Sequence, residues 1–156
     1  MNIFVLSTNP VKAAQMQCDQ HVVKMPLESA QMLCTAFPNG KAPYKWTHYK
    51  HPCNLWIRES KANYIWLIEH AFALCDEYTY RYDKKHKSLE VITWCEKNMK
   101  NISFPKKKRT PFAIAMDDVY KKKTAVQSYR NFYLQSKSKF ATWNKNRPAP
   151  SWYFKA

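Results

Sequence analysis

Glycine occurs once in 156 residues, at Gly40, and that single occurrence excludes more than any other feature of the chain. Glycine supplies positive-φ turns and the close backbone approach on which phosphate-cradling loops depend. A P-loop, a dinucleotide-binding fingerprint and a nucleophile elbow each need glycines at fixed spacings, so none can be built here. Two-residue hairpin turns also lean on glycine or asparagine at positive φ, which argues against a hairpin-rich β fold. Hydrophobic residues at 46% and aromatics at 15% provide ample material for a core. The expectation is a mainly α protein, one compact helical domain spanning residues 1–156, at a length where a single core suffices.

The opening Met1-Asn2-Ile3-Phe4-Val5-Leu6 is a short apolar run and reads as a short buried N-terminal strand. It lacks the basic flank of a signal peptide and the length of a membrane span. Five cysteines, an odd set, follow it. Reduced thiols and a cytoplasmic protein are expected, in the bacterial host cytoplasm if the chain is phage-encoded. Asn9 can cap and Pro10 suits a first helical turn, so a helix is predicted over residues 10–36, kinked or divided by Pro26 just ahead of Glu28. Apolar spacing predicts further helices over residues 52–82, 88–99 and 124–143. The last should turn Tyr129, Tyr133, Phe140 and Trp143 inward and leave Arg130, Lys137 and Lys139 outside.

Net charge is +15 and is unevenly placed. Residues 1–96 carry 11 basic against 9 acidic side chains, and residues 97–156 carry 15 against 2. A cationic C-terminal third interleaved with aromatics points to nucleic acid rather than membrane as the partner. Candidate DNA contacts are Lys24, Lys106, Lys107, Lys108, Arg109, Lys121, Lys122, Lys123, Arg130 and Arg147, with Trp152 and Tyr153 available for stacking. Cations neutralise phosphates without reading sequence, and an aromatic ring can stack on a base freed by flipping. Pro105 to Arg109 also has the look of a nuclear import signal, although a phosphate or solvent patch is the commoner meaning of such a run.

The most distinctive polar cluster is Asp19-Gln20-His21 with Glu28 seven residues after the histidine. That separation is close to two helical turns, so His21 and Glu28 share a face with Lys24 between them. An imidazole, an ammonium and a carboxylate so placed can exchange protons in general acid/base chemistry; the plainer alternative is a solvated face with a Lys24–Glu28 pair. Cys18-x-x-His21 and His51-x-Cys53 offer two ligand pairs that would make a zinc site if they met. Their spacing matches no common ribbon or finger, and small buried thiols are the ordinary outcome on apolar stripes, so no metal is assigned.

The Asp19-Gln20-His21 run with Glu28 at plus seven resembles the first helix of the pyrimidine-dimer DNA glycosylases of the phage endonuclease V type. Two further segments agree with it. One is His51-Pro52 leading into an aromatic helix that ends Glu77-Tyr78-Thr79-Tyr80-Arg81-Tyr82, and the other is the tail from Arg147-Pro148 to Trp152-Tyr153. The resemblance implies an all-helical DNA glycosylase, with AP-lyase activity, acting on damaged or modified pyrimidines in duplex DNA without a cofactor, as a monomer. It implies an N-terminal α-amine attacking C1′ to form a Schiff base, with Glu28 as acid/base and His21 beside the sugar. In water an α-amine, with a pKa of about 8, keeps an appreciable neutral fraction at neutral pH. Asn2 is too bulky for efficient removal of the initiator, so the amine is expected to be that of Met1, with Lys24 as the fallback nucleophile. Leu27 and Gln31 stand where the family has arginines, and the chain is longer ahead of the Asp-Gln-His run. A non-catalytic phage DNA-binding accessory protein on the same scaffold is the alternative, and an RNA-directed enzyme a third class.

Overall fold

The computed structural model describes residues 1–154. Six α-helices follow one another: α1 (Pro10–Met16), α2 (Asp19–Thr35), α3 (Pro52–Glu59), α4 (Lys61–Tyr82), α5 (Leu89–Asn98) and α6 (Ala125–Phe132). α6 runs on into a π-helical turn, Tyr133–Lys137. The long α4 is the hub and packs against α1, α2, α3 and α5. Its wide apolar stripe, including Tyr64, Leu67, Ile68, Ala71 and Leu74, is buried on several sides, as the sequence pattern required. No helix among the described residues is long and apolar enough to cross a membrane.

The starts of α1, α3, α4 and α6 obey local chemistry. The Asn9 carboxamide accepts from the Val11 and Lys12 amides with Pro10 in the first turn, and Thr124 with Gln127 forms a complete capping box on α6. Interruptions do not. The predicted helix over residues 10–36 is two helices, and the break falls at Gln17 and Cys18 rather than at Pro26, through which α2 continues. Gln17 is wholly buried, and its side-chain carboxamide nitrogen reaches the Ile3 carbonyl (3.1 Å) and His70 (3.2 Å). The Cys18 amide donates to the Tyr133 hydroxyl, and that of Asp19 to the Thr142 carbonyl at 2.8 Å. Remote groups thus satisfy the backbone where the helix opens. The second predicted helix likewise divides at Ser60, whose hydroxyl caps α4 while the passing Lys106–Lys107 backbone pairs with Glu59, Lys61 and Ala62. The last helix ends at Phe132, well short of residue 143.

Residues 1–6 form no strand, a correction to the sequence reading, and the described residues contain no sheet. A strand needs a partner edge, and this segment lies instead as a single thread inside helices, with Ile3, Phe4, Val5 and Leu6 all buried. Side chains do the pairing: Asn2 Oδ1 accepts from the Ile3 and Phe4 amides, Gln17 donates to the Ile3 carbonyl, and Arg130 Nε donates to the Leu6 carbonyl at 3.0 Å. Phe4 sits at φ 60°, which closes a turn that no regular strand contains.

A buried ionic knot ties the C-terminal segment to the helices. Arg81, with its side chain fully enclosed, donates to Glu77 (2.9 Å), Asp19 (3.0 Å) and the Gln15 carbonyl (2.9 Å). Arg147 makes a two-pronged contact with Glu77 at 2.7 and 2.9 Å, and the Asn144 amide donates to Asp19 at 2.7 Å. Arg81→Met removes the central cation and leaves two buried carboxylates underpaired. The expected loss is about 3–5 kcal/mol of unfolding free energy, measured by urea denaturation; a loss below about 1 kcal/mol would show that the knot carries little of the fold.

His70 is completely buried between Gln17 and the Pro10 carbonyl, and burial pushes its imidazole down to about 4, against its hydrogen bonds to the Pro10 and Ile3 carbonyls. Above the unfolded value near 6.5 the ring is neutral in both states; between 6.5 and 4 only the unfolded chain takes up a proton. Stability should therefore fall as pH drops through that window, by on the order of 3 kcal/mol from this group. Denaturation midpoints at pH 7 and pH 4.5 test this, with His70→Gln expected to show a shallower dependence than the parent.

Candidate active site

The N-terminal thread ends beside α2. The Met1 α-amine lies 3.2 Å from Glu28 Oε1, and the Asn2 amide donates to the same oxygen at 3.1 Å. Lys24, one turn earlier on α2 and largely exposed, reaches Glu28 Oε2 at 3.4 Å. The Met1 side chain is only 3% exposed, whereas the residue as a whole is part-exposed. The thioether is therefore anchored in the core and the amino end is what meets solvent. Asn2 is held from the other side, its carboxamide donating to the Ala115 carbonyl at 2.9 Å.

These groups line a cleft of about 390 Å³. One wall is the α2 face with Gln20, His21, Lys24 and Glu28; the other is Phe132, Lys137 and Phe140 from α6 and beyond. Phe4 forms part of the lining, stacked on His21 with ring centroids 4.2 Å apart. His21 Nδ1 lies 2.6 Å from the buried Tyr133 hydroxyl, and the Phe140 ring meets the imidazole edge-on. Burial, then the charges of Lys137 and Lys24, drive the His21 imidazole down to about 3. Lys137 sits with its ammonium 4.6 Å from the Phe132 centroid and makes no ion pair among the described residues. Burial first, then Lys139 and Lys24, holds Lys137 below the usual lysine range. Three amines thus share the cleft with one carboxylate and a neutral imidazole, and the cleft suits an anionic ligand.

The fold places His21, Lys24 and Glu28 on one face, as their spacing proposed, sets the Met1 amine that the resemblance implied beside them, and disperses the remaining candidates. Lys106 pairs with Glu59 at 3.1 Å and Lys121 with Asp118 at 2.9 Å, while Lys107, Lys108, Lys122 and Lys123 are exposed. Arg109 lies over the Phe112 ring. Arg130 does not point to solvent: it is part-buried against the Leu6 carbonyl and over the Trp152 ring. Arg147 is engaged by Glu77, which raises its pKa. Trp152 packs on Tyr133 with its indole N–H enclosed, and Tyr153 rests on Trp143. Among the described residues no three His, Cys, Asp or Glu side chains gather as a metal site. His51 caps α3 through Nδ1, and Cys53 is buried beside Tyr129 with its thiol pushed up to about 12.

Sequence reasoning assigned no part in this cleft to Asn2, Phe4, Phe132, Lys137 or Phe140, nor to the Tyr133 hydroxyl behind His21. A tyrosine at the end of an apolar stripe carries a polar tip that must find a buried partner, and Tyr133 gave that signal. Phe4 gave none, because its contact with His21 depends on how the thread enters the core.

Neither curated proteins nor solved structures provide a match to the chain. The family model described as pyrimidine dimer DNA glycosylase matches residues 1–90, the stretch that contains the thread, α2 with His21 and Glu28, and all of the hub helix. With the α-amine and Glu28 in contact at the mouth of a cationic cleft, the chain belongs to the pyrimidine dimer DNA glycosylase family.

Proposed function

We propose that this single-domain protein removes a damaged or modified pyrimidine from duplex DNA and then cleaves the strand at the abasic sugar. The observation that carries this reading is the 3.2 Å contact between the Met1 α-amine and Glu28 in an open cleft. The ammonium–carboxylate pair and its neutral counterpart differ by one proton moved across that contact, so Glu28 can free the amine for attack. The amine nitrogen then bonds to C1′ while the glycosidic C1′–N bond breaks, its electron pair leaving with the base, which takes up the proton that the bonded nitrogen gives up. Ring opening breaks C1′–O4′ as the nitrogen lone pair forms the C=N bond, O4′ gains the proton from Glu28, and C1′ becomes a protonated imine of the protein. The Glu28 carboxylate so restored takes a C2′ proton, and the enamine that results expels the 3′ phosphate. The Asn2 nitrogen touches the same Glu28 oxygen, so loss of Met1 would deliver a new α-amine to the same carboxylate.

Glu28→Gln keeps the shape and a carbonyl acceptor but cannot take the proton. Base release on UV-irradiated duplex should fall by roughly 10²-fold or more with duplex binding retained. Borohydride should trap a covalent complex with abasic DNA, and blocking the N-terminal amine should abolish the trap; survival of the trap would hand the role to Lys24 or Lys137. If the wild type cleaves no damaged or modified DNA, the non-catalytic DNA-binding alternative is the better account.

DNA contacts are proposed for the cations left without acidic partners, Lys107, Lys108, Lys122 and Lys123, together with Lys24 and Lys137 at the cleft. Duplex affinity should fall steeply with salt, and neutralising Lys107 and Lys108 should reduce the log–log slope by about 0.9 for each phosphate that the variant no longer neutralises. Arg147→Gln, by contrast, should lower the melting temperature before it alters the slope, since Arg147 is bound to Glu77.

A further inference from the structure

We propose that Tyr133 is a positioning residue that fixes His21 as the Nε2–H tautomer, so that the imidazole offers the bound nucleotide a hydrogen-bond donor and not a base. The inference rests on the reading of the cleft as a glycosylase centre and goes beyond it by assigning a residue from the C-terminal part of the chain.

Tyr133 is wholly buried, and its hydroxyl has three neighbours: the Cys18 amide at 3.3 Å, Cys18 Sγ at 3.6 Å and His21 Nδ1 at 2.6 Å. The Cys18 amide can only donate, so it occupies an oxygen lone pair. One hydroxyl proton remains to be placed. A sulfur acceptor at 3.6 Å is weak, whereas 2.6 Å is the length of a strong hydroxyl-donated bond and shorter than the usual N–H···O distance. The proton therefore points at Nδ1. A neutral imidazole that accepts at Nδ1 carries its hydrogen on Nε2. Burial and the ammoniums of Lys137 and Lys24 keep the ring neutral.

Nε2 makes no hydrogen bond among the described residues, yet it is not one of the enclosed unpaired atoms, so it keeps access to the cleft that His21 lines. Phe4 stacked on one face and Phe140 against the edge restrict rotation of the ring. The π-helical turn places Tyr133 at its start and Lys137 at its end, so a single turn delivers both the hydroxyl behind His21 and the ammonium at the cleft mouth. Such turns recur at functional sites because they re-aim side chains that a regular helix would direct elsewhere. The ligand group facing Nε2–H must be an acceptor, an oxygen of the sugar, the phosphate or a pyrimidine carbonyl.

The test is long-range proton–nitrogen correlation NMR on the full chain with labelled histidine at pH 7, with His21 assigned by the signals missing from His21→Gln. A pyrrole-type Nε2 and a pyridine-type Nδ1 are expected, and the reverse pattern, Nδ1–H, overturns the proposal whatever the enzyme does. Tyr133→Phe keeps the ring and removes the hydroxyl. It should mix the tautomers and lower kcat for base release by tenfold or more while KM and duplex affinity stay within twofold. Unchanged tautomer and unchanged kcat in that variant also overturn the proposal. Should the variant not fold, the wild-type spectrum still decides. Because that spectrum needs no substrate, an Nε2–H ring in a protein that cleaves no DNA would count against the glycosylase reading and leave the positioning role standing.

Discussion

The arrangement depends on how two buried carboxylates, Asp19 and Glu77, are neutralised. Carboxylates enclosed in a core are tolerable only when charge and hydrogen bonds fully surround them. Arg81 supplies both at once from α4, and Arg147 completes the set from the C-terminal tail. Asp19 is the first residue of α2, so its attachment to α4 fixes how that helix is rotated about its axis. His21, Lys24 and Glu28 follow on the same helix and inherit that rotation. Asp19 also takes the Asn144 amide, and the same knot therefore returns the tail to the start of α2.

The N-terminal thread is the second dependent element. An apolar extended segment inside a helical bundle brings unpaired peptide groups into a dry interior, where each must be satisfied. Asn2, Gln17 and Arg130 supply those bonds from three different places in the chain. The outcome is an α-amine held at a fixed point beside Glu28 instead of a frayed terminus, the pre-ordering that the proposed attack on C1′ would require. The core position of the Met1 side chain serves the same end.

Around that point the electrostatics are one-sided. Lys24, Lys137 and the α-amine outnumber Glu28, and His21 adds no charge because burial and its cationic neighbours keep it neutral. A cationic cleft of this kind suits phosphate, and the aromatic wall of Phe4, Phe132 and Phe140 suits a planar base or sugar face. Lys137, on the wall facing α2, comes from a turn that no periodicity announces.

By itself the sequence determined what local chemistry controls: helical rather than β structure from one glycine and the apolar spacing, the Asn9 and Thr124 starts, and the shared face of His21, Lys24 and Glu28. Those features depend on residues at most two turns apart, and neighbours in sequence are then neighbours in space. Tertiary structure alone decided the rest. The opening of the helix at Gln17 and Cys18 depends on Tyr133 and Thr142, far along the chain, which accept the Cys18 and Asp19 amides that the break leaves free. Arg130 and Arg147 read as surface cations because arginines usually are, and were drawn inward by a backbone carbonyl and a buried carboxylate that only the fold places beside them. The partner of His21 lies 112 residues away at Tyr133. Contacts of that separation are set by packing of the whole core and by the need to satisfy every polar group buried with it, and neither is encoded in any local pattern.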